Sequence, residues 1–249
     1  MSDTTTGPAS SWMRSLDGGG WQGGQLSPGE WRGVVREVAE ANRLARLERD
    51  GAGFLRRTFR KKTLPPIAPD DWLAMAAPLV EVIADDARPD VPMTVSIDVR
   101  GTQSPDKVVW KGTPSQQLPP RVRTIDETRY SDPILDMHAR LVDGTRCHLA
   151  VVRRLRARRI VKRSASNKIR VKHKEKTKTV ISVKLVVDGA RPVHDPPAGV
   201  PVTVDRSGGQ ARISSRATLT DARPEQVVEV ALGLLVGVHG LIDAGTTTR

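Results

Sequence analysis

"PILDMHARLVDGTRCHLAVVRRL" (residues 133–155) decides the fold. Apolar and polar residues alternate on both sides of Asp143-Gly144, and an Asp-Gly pair between two alternating runs is the strongest short-range signal for a β-hairpin. Antiparallel strands joined by tight turns are therefore expected at the centre of the chain. A two-residue Asp-Gly loop would set Arg140 opposite Cys147. It would gather Asp136, His138, Arg140 and Cys147 on one face and send His148 to the other. A thiol beside a histidine, a carboxylate and an arginine has the elements of an activated thiolate. The plainer reading is a half-buried cysteine beside a polar face.

Immediately downstream the charge changes. From Arg153 to Lys178 the chain carries thirteen Lys or Arg residues and one acid, Glu175, which equals the net charge of +12 for all 249 residues. The rest of the protein is balanced. Six of the eleven lysines lie between Lys162 and Lys178, although arginine is the commoner base elsewhere. Lysine is a flexible point charge and suits a diffuse anionic surface, whereas arginine forks onto planar acceptors.

Within this segment "KIRVKHKEKTKT" (168–179) has a base at every second position. On strand geometry Lys168, Arg170, Lys172, Lys174, Lys176 and Lys178 share one face over roughly 33 Å. Neighbouring charges there lie ~7 Å apart, inside the ~8 Å screening length at physiological salt. The run from Arg153 to Val187 reads as a second, longer hairpin turning near "SASNK". A four-residue loop at 164–167 would bring Arg153, Arg159 and Arg163 to the comb. A loop one residue longer or shorter would bring Arg154, Arg156, Arg158 and Lys162 instead.

A two-stranded cationic ribbon on a neutral body suits a phosphate backbone, where each neutralised phosphate releases counterions. Asn167 is the only Asn or Gln in the segment and no aromatic lies within it. Base reading and single-strand stacking are thus not expected, and contacts should go mainly to phosphate. DNA or RNA backbone is the expected partner, and all thirteen bases from Arg153 to Lys178 are the candidate contacts. An acidic protein or a lipid surface is the alternative ligand. Lysines that merely guard an edge strand are the blandest account, but one or two suffice for that purpose.

Working outward, "MTVSIDVRG" and "KVVWKG" read as strands, "GTPSQQLPPRVR" as a proline-rich loop, and "VPVTVDRSGGQARISSRATL" as a third hairpin turning at Gly208-Gly209. Towards the N-terminus, Ser27, Pro28 and Glu30 form a helix-start signature. Trp31, Val34, Val38, Ala41 and Ala45 then give an apolar stripe ended by Gly51 and Gly53. A second helix is expected from Asp70 to about Asp86, interrupted by Pro78. Between them Arg56, Arg57, Arg60, Lys61 and Lys62 alternate with Phe54 and Phe59, a secondary basic patch. Residues 1–26, rich in Thr, Ser and Gly and carrying Trp12 and Trp21, read as a flexible tail.

The aliphatic run after Pro224 predicts a buried C-terminal helix over 224–243, with Asp221 as a candidate cap and Gly245 as a stop. Gly233, Gly237 and Gly240 interrupt it, each costing ~1 kcal/mol against alanine. Close packing would compensate, on the sheet or at a helix seam between subunits of a homo-oligomer. At sixteen residues, with Glu229 and His239 inside, the run is too short for a bilayer span of ~20.

These readings give an α+β protein with a mainly antiparallel sheet of hairpins. They divide it into a tail (1–26), a helical region (27–90) and a β domain (91–249) holding the ribbon at 153–187. The lone cysteine and the absence of an apolar leader in "MSDTTTGPASSW" make a cytoplasmic location the default. No zinc spacing, phosphate loop, dinucleotide fingerprint or paired carboxylates are present. No cofactor or metal is expected, and no catalytic motif is found.

Overall fold

The computed structural model describes residues 21–51, 70–115, 117–164, 168–189 and 191–242. Eight strands form one antiparallel sheet: β1 (Trp21–Leu26), β2 (Met93–Asp98), β3 (Val108–Gly112), β4 (Val122–Arg140), β5 (Arg146–Arg163), β6 (Ile169–Asp188), β7 (Val202–Ser207) and β8 (Gln210–Thr220). Their order is β1-β2-β4-β5-β6-β8-β7, with β3 paired to the N-terminal half of β4. Helices α1 (Pro28–Gly51), α2 (Asp70–Asp86) and α3 (Pro224–His239) complete the α+β fold.

The alternation of β4, β5 and β6 sends Leu135, Met137, Leu149, Val151, Ile181, Val183 and Leu185 to one side of the sheet, where all are buried. The helices cover that side: α1 packs on α2, α2 on α3, and α3 on β6 and β8. Trp31, Val38, Leu79, Ile83 and Val227 supply the helical half of the core. Burying a large apolar side chain stabilises by about 1.5–3 kcal/mol, so this layer sets the sheet's inner face. The outer face has no helix on it among the described residues.

Local chemistry explains the element ends. The Ser27 amide donates to Glu30 Oε2 (2.8 Å) and the Glu30 amide to Ser27 Oγ (3.3 Å), the reciprocal capping box that starts α1. Trp31 follows and donates its Nε1 to the Met93 carbonyl (3.0 Å), tying α1 to β2. At the β7–β8 turn Gly208 and Gly209 both take positive φ, 64° and 71°, as a two-residue type I′ hairpin requires.

Several expectations are corrected. Trp21–Leu26 is not tail but β1, paired along its length with β2. Composition hides this, because backbone pairing to β2 needs no side-chain pattern. Helix α2 runs through Pro78, since Met75, Leu79 and Val80 are buried around it and outweigh the missing hydrogen bond. Asp221 does not cap α3. Its amide donates to the Thr177 carbonyl (3.1 Å) and its Oδ1 accepts from the Thr177 amide (3.1 Å), joining the end of β8 to β6. Helix α3 ends at His239, with Gly240 as its C-cap. It buries Val227, Ala231 and Val238, while Val236 is 71% exposed. A Cβ at Gly233 or Gly237 would meet nothing within 4 Å, so these glycines are not packed closely within the chain. Trp12, Gly245 and the basic patch at Arg56, Arg57, Arg60, Lys61 and Lys62 lie outside the described residues.

Candidate functional site

Register decides which bases meet. Arg163 pairs with Ile169, and the Ser164 amide donates to the Lys168 carbonyl (2.9 Å), so the connection from 164 to 168 is the longer of the loops considered. Cross-strand partners on the outer face are then Arg154 and Lys178, Arg156 and Lys176, Arg158 and Lys174, Ile160 and Lys172, and Lys162 and Arg170. Lys168 stands at the turn. Arg153, Arg159 and Arg163 go to the inner face.

The ribbon is wider than two strands: β4 flanks β5 along it, and β3 adds a fourth strand beside Glu127–Tyr130. Strand β4 runs beside β5 as far as the Val122–Lys162 pair, which the sequence did not show because residues 122–132 carry no clean alternation. Strand β4 adds Arg129 beside Arg156 and Glu127 beside Arg158 on the outer face. Glu127 is fully buried: Arg129 donates to its Oε1 (2.6 Å) and Arg158 donates to its Oε2. Burial pushes this carboxyl up, but the hydrogen bonds and charges of the two arginines outweigh it and hold its pKa below the ordinary value. Strand β3 contributes Trp110, whose ring lies 4.8 Å from the Arg129 guanidinium carbon.

Like charges directly opposite destabilise a sheet, and four such pairs line up here. Glu127 offsets one of them. Between Arg129, Arg154, Arg156, Lys176 and Lys178 lies an open cavity of about 580 Å³ with no acidic residue in its lining. Arg154, Arg156, Lys176 and Lys178 make no ion pair with any described residue, so their charges are available to a ligand. The inner face differs. There Arg159 Nη1 donates to Asp126 Oδ2 (3.1 Å), Gln103 donates to Glu175 (3.0 Å), and Asp132 is buried against Lys107. The cationic excess is a property of one face.

That face continues onto the body. Arg140, Arg146, Lys184, Arg212 and Arg216 alternate outward on β4, β5, β6 and β8 in register with the comb. As parts of this face these residues, with Arg129 and Trp110, were missed from the sequence, although Arg140 was placed beside His138. They are scattered along the chain and only sheet order assembles them.

At the base of the ribbon, Lys107 is 2% exposed and lies between two buried carboxylates, 3.1 Å from Asp98 and 2.6 Å from Asp132. Arg100 donates to Asp98 as well (2.7 Å), and Thr102 Oγ1 donates to Asp132 (2.7 Å). This network fastens the 3-10 turn Pro105–Lys107 and β3 to the sheet.

The grouping expected around Cys147 is not formed. The first hairpin has three loop residues, Val142 to Gly144, closed by the Leu141 amide donating to the Thr145 carbonyl (2.8 Å), with Gly144 at φ 87°. Asp143 fixes this form by accepting from the Thr145 amide (2.9 Å). The extra residue reverses the parity of β5 against β4. Cys147 therefore pairs with Ala139 in the core, and His148 joins His138 and Asp136 outside. Burial, with Asp86 second, pushes the Cys147 thiol up to about 12. It is no thiolate nucleophile. His138 Nε2 lies 2.9 Å from Asp136 Oδ1, His148 Nε2 lies 3.1 Å from Oδ2, and the rings stack at 4.1 Å with 6° between their planes. His194 and Asp195 lie in a proline-rich loop, where Asp195 pairs with Arg206 (2.8 Å).

Comparison with protein-family models, curated proteins and solved structures returned no match to this chain. No described helix is long and apolar enough to cross a membrane.

Proposed function

We propose that the protein binds the phosphate backbone of nucleic acid, with little sequence specificity, through the outer face of β4, β5 and β6. The observation that supports this is the segregation of charge. Arg154, Arg156, Lys176 and Lys178 line a cavity with no acidic residue in its lining and make no ion pair with any described residue, while the opposite face of the same strands is balanced by Asp126, Asp132 and Glu175. Repulsion along such a face is relieved by a polyanion, and the release of its counterions drives association.

The width of the ribbon shapes the mode of contact. A B-DNA major groove is ~12 Å wide and admits two strands. Three strands at ~4.8 Å spacing, and four where β3 joins beside Glu127–Tyr130, lie across the phosphates by their face instead. No Asn or Gln stands among the outer-face residues of the comb, so the contacts carry charge and not sequence. Trp110 and Arg129 at the edge of the cavity offer one stacking surface.

Affinity for random duplex DNA and RNA, measured against salt, tests this. The wild type should show a steep negative slope. In duplex DNA that slope should flatten by about 0.9 for each phosphate left unneutralised when Lys172, Lys174 and Lys176 are changed together to Glu. Absence of binding at low salt removes the proposal. A second reading is favoured by α3, where exposed Val236 and the open Gly233 and Gly237 present an uncovered surface. In it the chain is a scaffold subunit that self-associates through α3 and docks its ribbon on an acidic protein. Light scattering at increasing concentration distinguishes it, since a strict monomer leaves no role for that helix.

A further inference from the structure

The geometry points to a divalent transition-metal site formed by Asp136, His138 and His148 on the outer face of the body, separate from the phosphate-binding ribbon and independent of that reading. His138 and His148 are a direct cross-strand pair on β4 and β5, and Asp136 precedes His138 by two residues on the same face. Both Nε2 atoms converge on one carboxylate, at 2.9 Å and 3.1 Å from its two oxygens. One ligand atom from each of the three residues can be chosen so that all lie within 4.8 Å of one another. Metal–ligand bonds of ~2.0–2.2 Å place neighbouring donor atoms of one shell roughly 3 Å apart. The two nitrogens and the carboxylate therefore need only small rotations to enclose an ion.

Three further observations support an ion rather than a hydrogen-bonded cluster alone. The ligands stand on adjacent inner strands, His138 also paired with Thr94 of β2 and His148 with Lys184 of β6, so the backbone beneath them is held on both sides. The side chains are 57%, 35% and 35% exposed for His138, His148 and Asp136, which gives an ion a path from solvent and room for water as a further ligand. Two imidazoles and one carboxylate without a thiolate form the donor set of zinc, cobalt, nickel and copper sites in which three protein ligands leave a position open. Arg140, Arg146 and Lys184 border the same shallow cavity. Their charge weakens binding of a bare ion and favours an anion in the open position.

The test uses the full chain without a histidine tag. Zinc titration calorimetry and the visible spectrum of added cobalt should show one ion per chain with nitrogen ligation. His138→Ala and His148→Ala should each weaken binding by about tenfold or more, and His173→Ala should leave it unchanged. Histidine resonances of the wild-type protein give a readout free of any effect of substitution on folding. At one equivalent of zinc the signals of His138 and His148 should shift together while those of His173 and His239 stay in place. Equal affinity in wild type and the His138→Ala/His148→Ala double variant, or zinc shifts confined to other histidines, would overturn the site. Failure of the lysine variants to bind nucleic acid would not bear on it.

Discussion

Arg158 of β5 closes over Glu127 of β4, a carboxylate with no exposed surface at the centre of the most cationic face of the molecule. It is the single acid on that face of the ribbon among the described residues, and without it Arg158, Arg129 and Lys174 would face one another uncompensated. Glu127→Gln should therefore destabilise the fold by about 1.5–3 kcal/mol at neutral pH, the range for hydrogen bonds to a charged group. The carboxyl is held below its ordinary value of 4.5, so its contribution is present above that pH and disappears as pH falls through the lower folded-state value. Urea unfolding of wild type and variant should differ at pH 7 and converge in acid.

Lys107 should matter more. Its removal leaves Asp98 and Asp132 buried, and breaking such a pair costs about 3–5 kcal/mol. Lys107→Met is expected to lower stability by that amount, with partial recovery when Asp132→Asn is added. Burial raises the Asp98 pKa, but Arg100 and Lys107 outweigh it and leave it below 3.8. The network thus stabilises above that pH and is lost in stronger acid. Denaturant titrations of the single and double variants measure both effects.

Charge reversal should act by face. Arg156→Glu with Lys176→Glu removes an outer pair at the cavity, whereas Arg159→Glu with Arg163→Glu alters the inner face by the same formal charge. The outer variant should lose nucleic-acid affinity by at least tenfold at low salt and show a shallower salt slope. The inner one should change little. Equal losses would mean that net charge, and not the face, governs binding.

Cys147 should be inert in the native protein. With its thiol pushed up to about 12 and 3% exposed, labelling by a thiol reagent at pH 8 should be slow and become fast only in denaturant. Fast native labelling would contradict the register of the first hairpin.

The sequence made the hairpins, the Ser27–Glu30 cap and the helix over Asp70–Asp86 legible because each has a local cause: turn chemistry, a capping box or apolar spacing. What it concealed was parity. The loop at Asp143-Gly144 was placed correctly, yet one added residue exchanged Cys147 for His148 beside Asp136. The same kind of step at Ser164–Lys168 chose Arg154, Arg156, Arg158 and Lys162 over Arg153, Arg159 and Arg163. A period of two means that an error of one residue moves every side chain to the opposite face. The partners Arg129, Glu127 and Trp110 were hidden for another reason, since they reach the site only through pairing between strands distant in sequence.

From Ile169 to Lys176, β6 pairs with β5 alone among the described residues, which leaves its other edge open. An open edge of that length, carrying exposed Ile169 and Val171, is a template for a strand from a neighbouring molecule. The lysines proposed to attract a polyanion also place like charges against a second copy that would pair with this edge. Changing them to glutamine would remove both properties at once, so a neutralised ribbon should precipitate where a glutamate-bearing one stays dispersed. In the proposed function, colloidal stability and ligand capture rest on the same side chains.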